Sequence, residues 1–318
     1  MRIVRSAVIA VCTAWTAGAF GAEPTLREAS WFWGHEPGQV DGPGNSFKVP
    51  VGKERALSMT DAARAFGVPG LSVIRYAAPG TNAAAVAEFA SVSRLAWMAS
   101  SCYSDERLNR AMANGAIEGA ARMPNLVGLD LDDYFLQFGE ALTNDVSTGR
   151  PVKVRRGVFS LAELEDVVRR AHAAPRPLDI RAVVYCDLEP AQVVPEAKPV
   201  LDRVDTVMFW TWNASNLVQL AKNYETCRKL APGKRFLLGL YLWDFGGKRE
   251  VTDAEMRIQL DFALEKFRAG ELDGVVFHCT PLVNKGLRAV RLAKEWLDRN
   301  GDVRFGSAEI KSFEIKTR

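Results

Sequence analysis

The chain has 318 residues, 48% apolar and 25% charged, enough apolar material for a full core and a composition that excludes a disordered polymer. Lys and Arg number 41 against 38 Asp and Glu, and the charges are interspersed. That pattern excludes the footprint of a nucleic-acid binder and the basic cluster of a membrane-surface anchor.

Residues 1–22 read as an export signal. Arg2 and Arg5 precede an apolar run from Ala7 to Phe20, and the small residues Ala19, Gly21 and Ala22 precede the polar Glu23-Pro24. The run falls short of the roughly 20 residues a spanning helix needs. The mature chain, 23–318, is therefore expected to be a single soluble domain, secreted or periplasmic, without a membrane partner. It keeps 39 basic against 38 acidic residues, so it does not steer a highly charged ligand.

Along the mature chain, short β-branched or aromatic runs alternate with amphipathic stretches, the signature of a parallel sheet with crossover helices. Eight strands are predicted: Ser30–Trp33, Leu71–Tyr76, Arg94–Ala99, Asn125–Asp132, Arg181–Asp187, Thr206–Trp212, Phe236–Trp243 and Gly274–Cys279. Ser160 with Glu163 and Thr252 with Glu255 have capping-box spacing and mark two helix starts. Eight such units close into a (β/α)8 TIM barrel, because pairing the first strand with the last removes both edges. The rival, an open doubly wound sheet, wants a glycine-rich phosphate turn after its first strand, and Trp33-Gly34-His35-Glu36 is not one. Two connections are long, Gly34–Arg55 after the first strand and Gln137–Gly157 after the fourth, and both leave the strand ends that carry active sites in this architecture.

The fourth strand reads Leu129-Asp130-Leu131-Asp132-Asp133-Tyr134. Side chains alternate along a strand, so Asp130 and Asp132 share a face, and leucines against the helices leave both acids pointing inward. Buried carboxylates are costly unless paired or solvated, so the clustering calls for either chemistry or bonds to loop amides. A second acidic pair, Asp187 and Glu189, ends the fifth strand. Carboxyls from neighbouring strands can flank one glycosidic bond as acid and base, or Glu189, before Pro190, simply starts a helix.

Of the seven tryptophans in the mature chain, Trp33, Trp210, Trp212 and Trp243 are expected at the mouth, where an indole suits the C–H face of a sugar. His35 and His278 end strands that adjoin in a closed barrel. They can bond substrate hydroxyls or, with Asp132, Glu189 or Asp244, hold a metal, although no H-x-H or H-E-x-x-H supports that. Arg75 and Asn213 are expected substrate contacts, with an ion pair to an interior aspartate as the alternative for Arg75. There is no G-x-S-x-G elbow for a serine nucleophile. The mature chain's four cysteines form no C-x-x-C pair and read mostly as small core residues, with a disulfide among them as the alternative.

Gly128-Leu129-Asp130-Leu131-Asp132-Asp133-Tyr134 resembles the D-x-D-x-E strand of family 18 glycoside hydrolases, chitinase-like (β/α)8 barrels, and Met208 with Trp210 and Gly274-Val275-Val276 are loosely similar too. The resemblance implies a carbohydrate ligand and places Asp130 and Asp132 on the motif's aspartates. Where that family carries its proton donor, this chain has Tyr134, so the acid must be Asp133 or Glu189, or catalysis is absent. The expected protein is an exported glycoside-hydrolase-like barrel acting on a neutral oligo- or polysaccharide without a cofactor. Its catalytic residues would be Asp132, Asp133 and Glu189, and Asp130, Trp33, His35, Arg75, Tyr134, Asp187, Trp210, Trp212, Asn213, Trp243, Asp244 and His278 would contact substrate. The alternatives are a sugar-binding barrel without turnover and a metal-dependent sugar isomerase or hydrolase.

Overall fold

A computed structural model describes residues 23–51, 56–79, 83–135, 140–144, 151–155, 158–188 and 194–307. The expected export signal and Glu189 lie outside the described residues. In chain order the elements are β1 (Ser30–His35), α1 (Met59–Phe66), β2 (Gly70–Ile74), α2 (Ala83–Glu88), β3 (Arg94–Ser101), α3 (Glu106–Gly119) and β4 (Leu126–Asp132). Then come β5 (Glu140–Asn144), β6 (Pro151–Arg155), α4 (Leu161–His172), β7 (Asp179–Tyr185), α5 (Lys198–Leu201) and β8 (Thr206–Trp210). The last are α6 (Leu220–Leu230), β9 (Arg235–Tyr241), α7 (Asp253–Arg268), β10 (Gly274–His278) and α8 (Arg288–Asn300).

Eight of the strands close in the order β1-β2-β3-β4-β7-β8-β9-β10, every pair parallel, with β10 returning to β1. This is a single-domain (β/α)8 TIM barrel. The connection after β4, expected as a plain loop, carries β5 and β6 paired antiparallel. Four strands stop two residues before the expected ends at Tyr76, Asp187, Trp212 and Trp243: β2 at Ile74, β7 at Tyr185, β8 at Trp210 and β9 at Tyr241.

The helices begin where the sequence offers caps. Ser160 accepts from the amide of Glu163 while the Glu163 carboxylate accepts from the Ser160 amide, and Thr252 and Glu255 repeat the arrangement. The helices lay apolar stripes on the barrel, as Leu164, Val167 and Ala171 of α4 do at helical spacing. Outward strand residues meet those stripes: Phe32 packs edge-on against Phe66 of α1, with ring centroids 5.1 Å apart. Burying each such side chain stabilises the fold by about 1.5–3 kcal/mol.

The inward faces must fill a narrow tube, and glycines make room for indoles. A Cβ at Gly239 would lie 1.9 Å from Cε3 of Trp210, and one at Gly70 would lie 2.6 Å from Cδ2 of Trp31. Only glycine permits these crossings, which raise Trp210 toward one end of the barrel and settle Trp31 at the other.

Candidate active site

At the carboxyl ends of the strands, the last inward side chains converge on a cavity of about 220 Å³: Trp33 and His35 of β1, Asp132 of β4, Tyr185 of β7, Trp210 of β8, Tyr241 of β9 and His278 of β10. The segment after β1 adds Phe47 and Gln39, those after β2 and β3 add Tyr76 and Tyr103, and those after β8 and β9 add Trp212 and Phe245. Strict alternation would turn Asp133 away from Asp132. Asp133 instead has φ of +44°, a left-handed conformation that aspartate tolerates, and its side chain lines the same cavity. The single turn residue thus doubles the acid count of the site.

Both carboxyls hold protons more tightly than ordinary aspartates. Burial drives Asp132 well up, helped by repulsion from Asp133 and then Asp130. Burial pushes Asp133 up to about 6, against the hydrogen bond it receives from the Tyr185 hydroxyl. Tyr185 in turn lies 3.1 Å from the Tyr241 hydroxyl, giving a relay Tyr241–Tyr185–Asp133. Among the described lining residues there is no Lys or Arg to neutralise the pair. Like charges this close share a proton, and the pair titrates as a unit.

His35 and His278 stand with ring centroids 5.4 Å apart. Burial lowers His35 to about 4, against a hydrogen bond between its Nδ1 and Gln39 Oε1, and burial with His35 nearby lowers His278 well below the ordinary value. Both are neutral near pH 7. Three buried polar atoms of the lining residues, Asp133 Oδ1, Trp210 Nε1 and His278 Nδ1, have no protein partner. Each such atom costs about 1–3 kcal/mol when unmet. Most of the remaining wall is aromatic, with Trp33 edge-on to Trp210 at 5.5 Å and Trp212 against Tyr241 at 5.8 Å and Phe47 at 6.0 Å, and Val40 and Val183 complete it.

Several expected substrate contacts are engaged by other groups of the protein or lie outside the cavity lining. Asp130 is fully buried one pleat below the cavity, where the Arg181 fork holds it through Nε–Oδ1 at 2.6 Å and NH2–Oδ2 at 2.9 Å. A carboxylate that deep needs a counter-charge, and it has one. Arg75 is taken by Glu36 and Glu88 (Nε to Glu36 Oε1, 2.7 Å), and not by an interior aspartate. Tyr134 is buried with its hydroxyl donating to the Phe159 carbonyl at 3.1 Å.

Asp187 lies past the end of β7 and accepts from the amides of Trp212 (3.1 Å) and Asn213 (2.9 Å), clamping the β8 connection. The Asn213 side chain packs on Gly246 instead of lining the cavity. Asp244 accepts from the amides of Ala214 and Gly247 and pairs with Arg249, so it joins neither the cavity nor the histidines. Trp243 donates from Nε1 to the Phe47 carbonyl at 3.0 Å, supporting a lining residue without being one. The same segment is pinned by a buried ion pair, Lys285 Nζ to Asp41 Oδ2 at 2.6 Å. Glu189 lies outside the described residues.

Tyr185, Tyr241, Phe47 and Phe245 are site residues that sequence reasoning missed. The first two had a signal: each lies two places before an expected mouth residue, Asp187 and Trp243, and so on the same pleat face. Phe47 and Phe245 sit in connections, where no periodicity places them. Among the described residues no group of three or more His, Cys, Asp or Glu is arranged to hold a metal.

No protein-family model matches the chain, and no curated protein matches it. Solved structures are similar in fold. A GH5_18 protein from Bifidobacterium longum subsp. infantis aligns with a TM-score of 0.51 and 14% identity over 86% of this chain and 80% of its own. The catalytic domain of a hyperthermophilic chitinase from Pyrococcus furiosus aligns with a TM-score of 0.50 and 14% identity over 88% of this chain and 98% of its own.

Proposed function

We propose that the protein is an exported glycoside hydrolase acting on a neutral sugar chain through the Asp132–Asp133 pair. The observation that carries this reading is the pair itself: two adjacent carboxyls, Asp132 buried and Asp133 half-buried among aromatic rings, with no Lys or Arg among the described lining residues and both biased toward the protonated form. Such a pair holds one proton at neutral pH, which supplies a general acid for the departing glycosidic oxygen. The ionised partner then stabilises the positive charge that develops on the sugar ring, or attacks or activates water at that carbon. Tyr185 keeps Asp133 oriented and tunes its proton affinity. The indoles of Trp33, Trp210 and Trp212 offer faces for sugar C–H groups, and the orphaned Trp210 Nε1 and His278 Nδ1 suit hydroxyls.

Among the described lining residues there is no Lys or Arg, which disfavours uronic and sialic acids, whose carboxylates would meet two aspartates. The likeness to a chitinase catalytic domain fits this reading through the fold alone. The test is hydrolysis of a panel of neutral glycans by the wild type and by Asp132→Asn and Asp133→Asn. Each variant is expected to lose about 10²–10⁴-fold in turnover while still binding sugar. Undiminished turnover in both sinks the site.

A second reading, a carbohydrate-binding barrel without turnover, is favoured by one observation: Tyr134, which the sequence resemblance sets where family 18 carries its proton donor, is buried with its hydroxyl on the Phe159 carbonyl. Glycan retention by the wild type with no release of reducing ends on any bound glycan would select it.

A further inference from the structure

Tyr76 and Tyr103 are the only exposed Phe, Tyr or Trp side chains among the described residues, at 42% and 62%, and both stand at the mouth of the cavity that holds the acid pair. Single exposed apolar residues are ordinary, but these two share one rim of one site. Their backbones are fixed from beneath. The Trp97 indole donates from Nε1 to the Ala77 carbonyl at 2.8 Å and holds the connection behind Tyr76. Buried Asn109 of α3 accepts from the Ser101 amide at 2.9 Å and donates from Nδ2 to the carbonyls of Ser101 and Ser104 at 3.1 and 3.3 Å, bracketing the turn that carries Tyr103. Ser101 joins the two rings: its Oγ accepts from the Tyr103 amide at 3.3 Å and is hydrogen-bonded to the Tyr76 side chain. The rings thus face water on a backbone that a ligand need not order, which lowers the cost of binding there.

The strand order sets what these rings adjoin. Going round the barrel, the tyrosines after β2 and β3 come first, then the acids of β4, then the inward rings Tyr185, Trp210 and Tyr241 of β7, β8 and β9, each no more than 5% exposed. Asp132 and Asp133 therefore lie between an exposed pair of rings and an enclosed set. Electrostatics give the same placement: after burial, the strongest influence raising the Tyr76 hydroxyl is Asp132, and for Tyr103 it is Asp133. Both phenols stay neutral and keep a proton to donate. The cavity, at about 220 Å³, is smaller than the roughly 300–1,000 Å³ of pockets that take a drug-sized ligand, so it admits one sugar ring and leaves a second outside.

We propose that Tyr76 and Tyr103 form a stacking platform for a second sugar, so that the terminal unit of a neutral chain enters the cavity and the rest leaves across the ends of β2 and β3. The bond between the two sugars then lies at Asp132 and Asp133. A tyrosine offers an apolar face to sugar C–H groups and a hydroxyl edge to the ring's own hydroxyls, which is the chemistry such an occupant needs. This inference rests on the glycosidase reading and deepens it: the substrate has at least two sugar units and is cut at its end.

The experiment is calorimetric titration of the full chain carrying Asp132→Asn, which removes turnover, with three pairs of sugars: glucose and cellobiose, mannose and mannobiose, and N-acetylglucosamine and its β-1,4-linked dimer. In a pair that binds, the disaccharide is expected to be tighter than the monosaccharide by about 10-fold or more. Adding Tyr103→Ala should weaken the disaccharide by about 3–10-fold, and Tyr76→Ala by a similar factor, while the monosaccharide is held as before. Tyr103→Phe keeps the ring and should keep the preference. Equal affinity for both members of every pair that binds, or an unchanged preference in folded Tyr103→Ala and Tyr76→Ala proteins, overturns the platform and leaves the glycosidase reading standing. Loss of the preference in Tyr103→Phe overturns the stacking role. Failure of every sugar to bind overturns the carbohydrate reading and the platform together.

Discussion

Asp130 and Asp132 stand on one strand, on one face, two residues apart, and the barrel treats them oppositely. Asp130 is locked by a two-pronged guanidinium at 2.6 and 2.9 Å, with Ser72 bonded to the same Arg181. Asp132, one pleat higher, has a second acid for a neighbour and no cation among the described lining residues. The lower acid is satisfied in the folded chain; the upper pair is held in a state that favours the uptake of a proton. The contrast separates structural burial of charge from functional burial: what matters is whether the surroundings complete the group or leave it unfinished.

Substituting each acid in turn breaks the comparison most sharply. Asp132→Asn should cut hydrolysis by about 10²–10⁴-fold, with chemical denaturation at neutral pH giving stability equal to or above the wild type because the cost of keeping a buried carboxyl protonated above its unfolded pKa is gone. Asp130→Ala should instead cost about 3–5 kcal/mol of stability, since it strands the buried Arg181. Replacing both members, Asp130→Leu with Arg181→Met, should recover most of that loss, as apolar residues often replace buried ion pairs without penalty. If Asp132→Asn proves the more destabilising single change, the distinction between the two levels fails.

A smaller effect tests how the interior is filled. Gly239→Ala drives a methyl into Trp210 and should cost about 1–3 kcal/mol. It should also raise KM more than it lowers kcat, because Trp210 forms a wall of the site and is not one of the reacting acids. A Trp210→Phe background, with a smaller ring, should relieve part of the cost. No relief would mean that the strain falls elsewhere.

The eight strands were legible because β-branched and aromatic runs between helical stretches leave few other arrangements, and two helix starts were legible because capping boxes are local. The acids of β4 were legible because alternation is a property of the strand itself. Legibility failed where the strands were extended too far. Asp187, Trp212 and Trp243 were read as continuing the pleat, but the ladders of β7, β8 and β9 end two residues sooner. The inward tyrosines therefore come one pleat earlier, and Asp187 is free to cap backbone amides. Asp133 illustrates the opposite limit: no period places a residue whose backbone leaves the strand at positive φ. The partners of Arg75 and Tyr134 were illegible as well, because Glu36, Glu88 and Phe159 meet them only through tertiary packing.

The smallest effect, and the finest test, is the pH dependence of the upper pair. Asp133 is raised to about 6, above its unfolded value near 4. A raised carboxyl contributes stability that is full below the unfolded pKa and is lost as pH climbs through the folded one. The wild type should therefore lose stability relative to Asp133→Asn as pH rises from about 4 to beyond 6. The histidines run the other way: His35, lowered to about 4, contributes stability above its unfolded value near 6.5 that disappears as pH falls toward 4. Comparing wild type with Asp133→Asn cancels that background, since both keep His35 and His278. In the same window turnover should rise as the pair loses its first proton, and Tyr185→Phe, which removes the hydrogen bond to ionised Asp133, should shift that limb to higher pH. A limb that stays in place in Tyr185→Phe would mean that the relay does not set the charge of the pair.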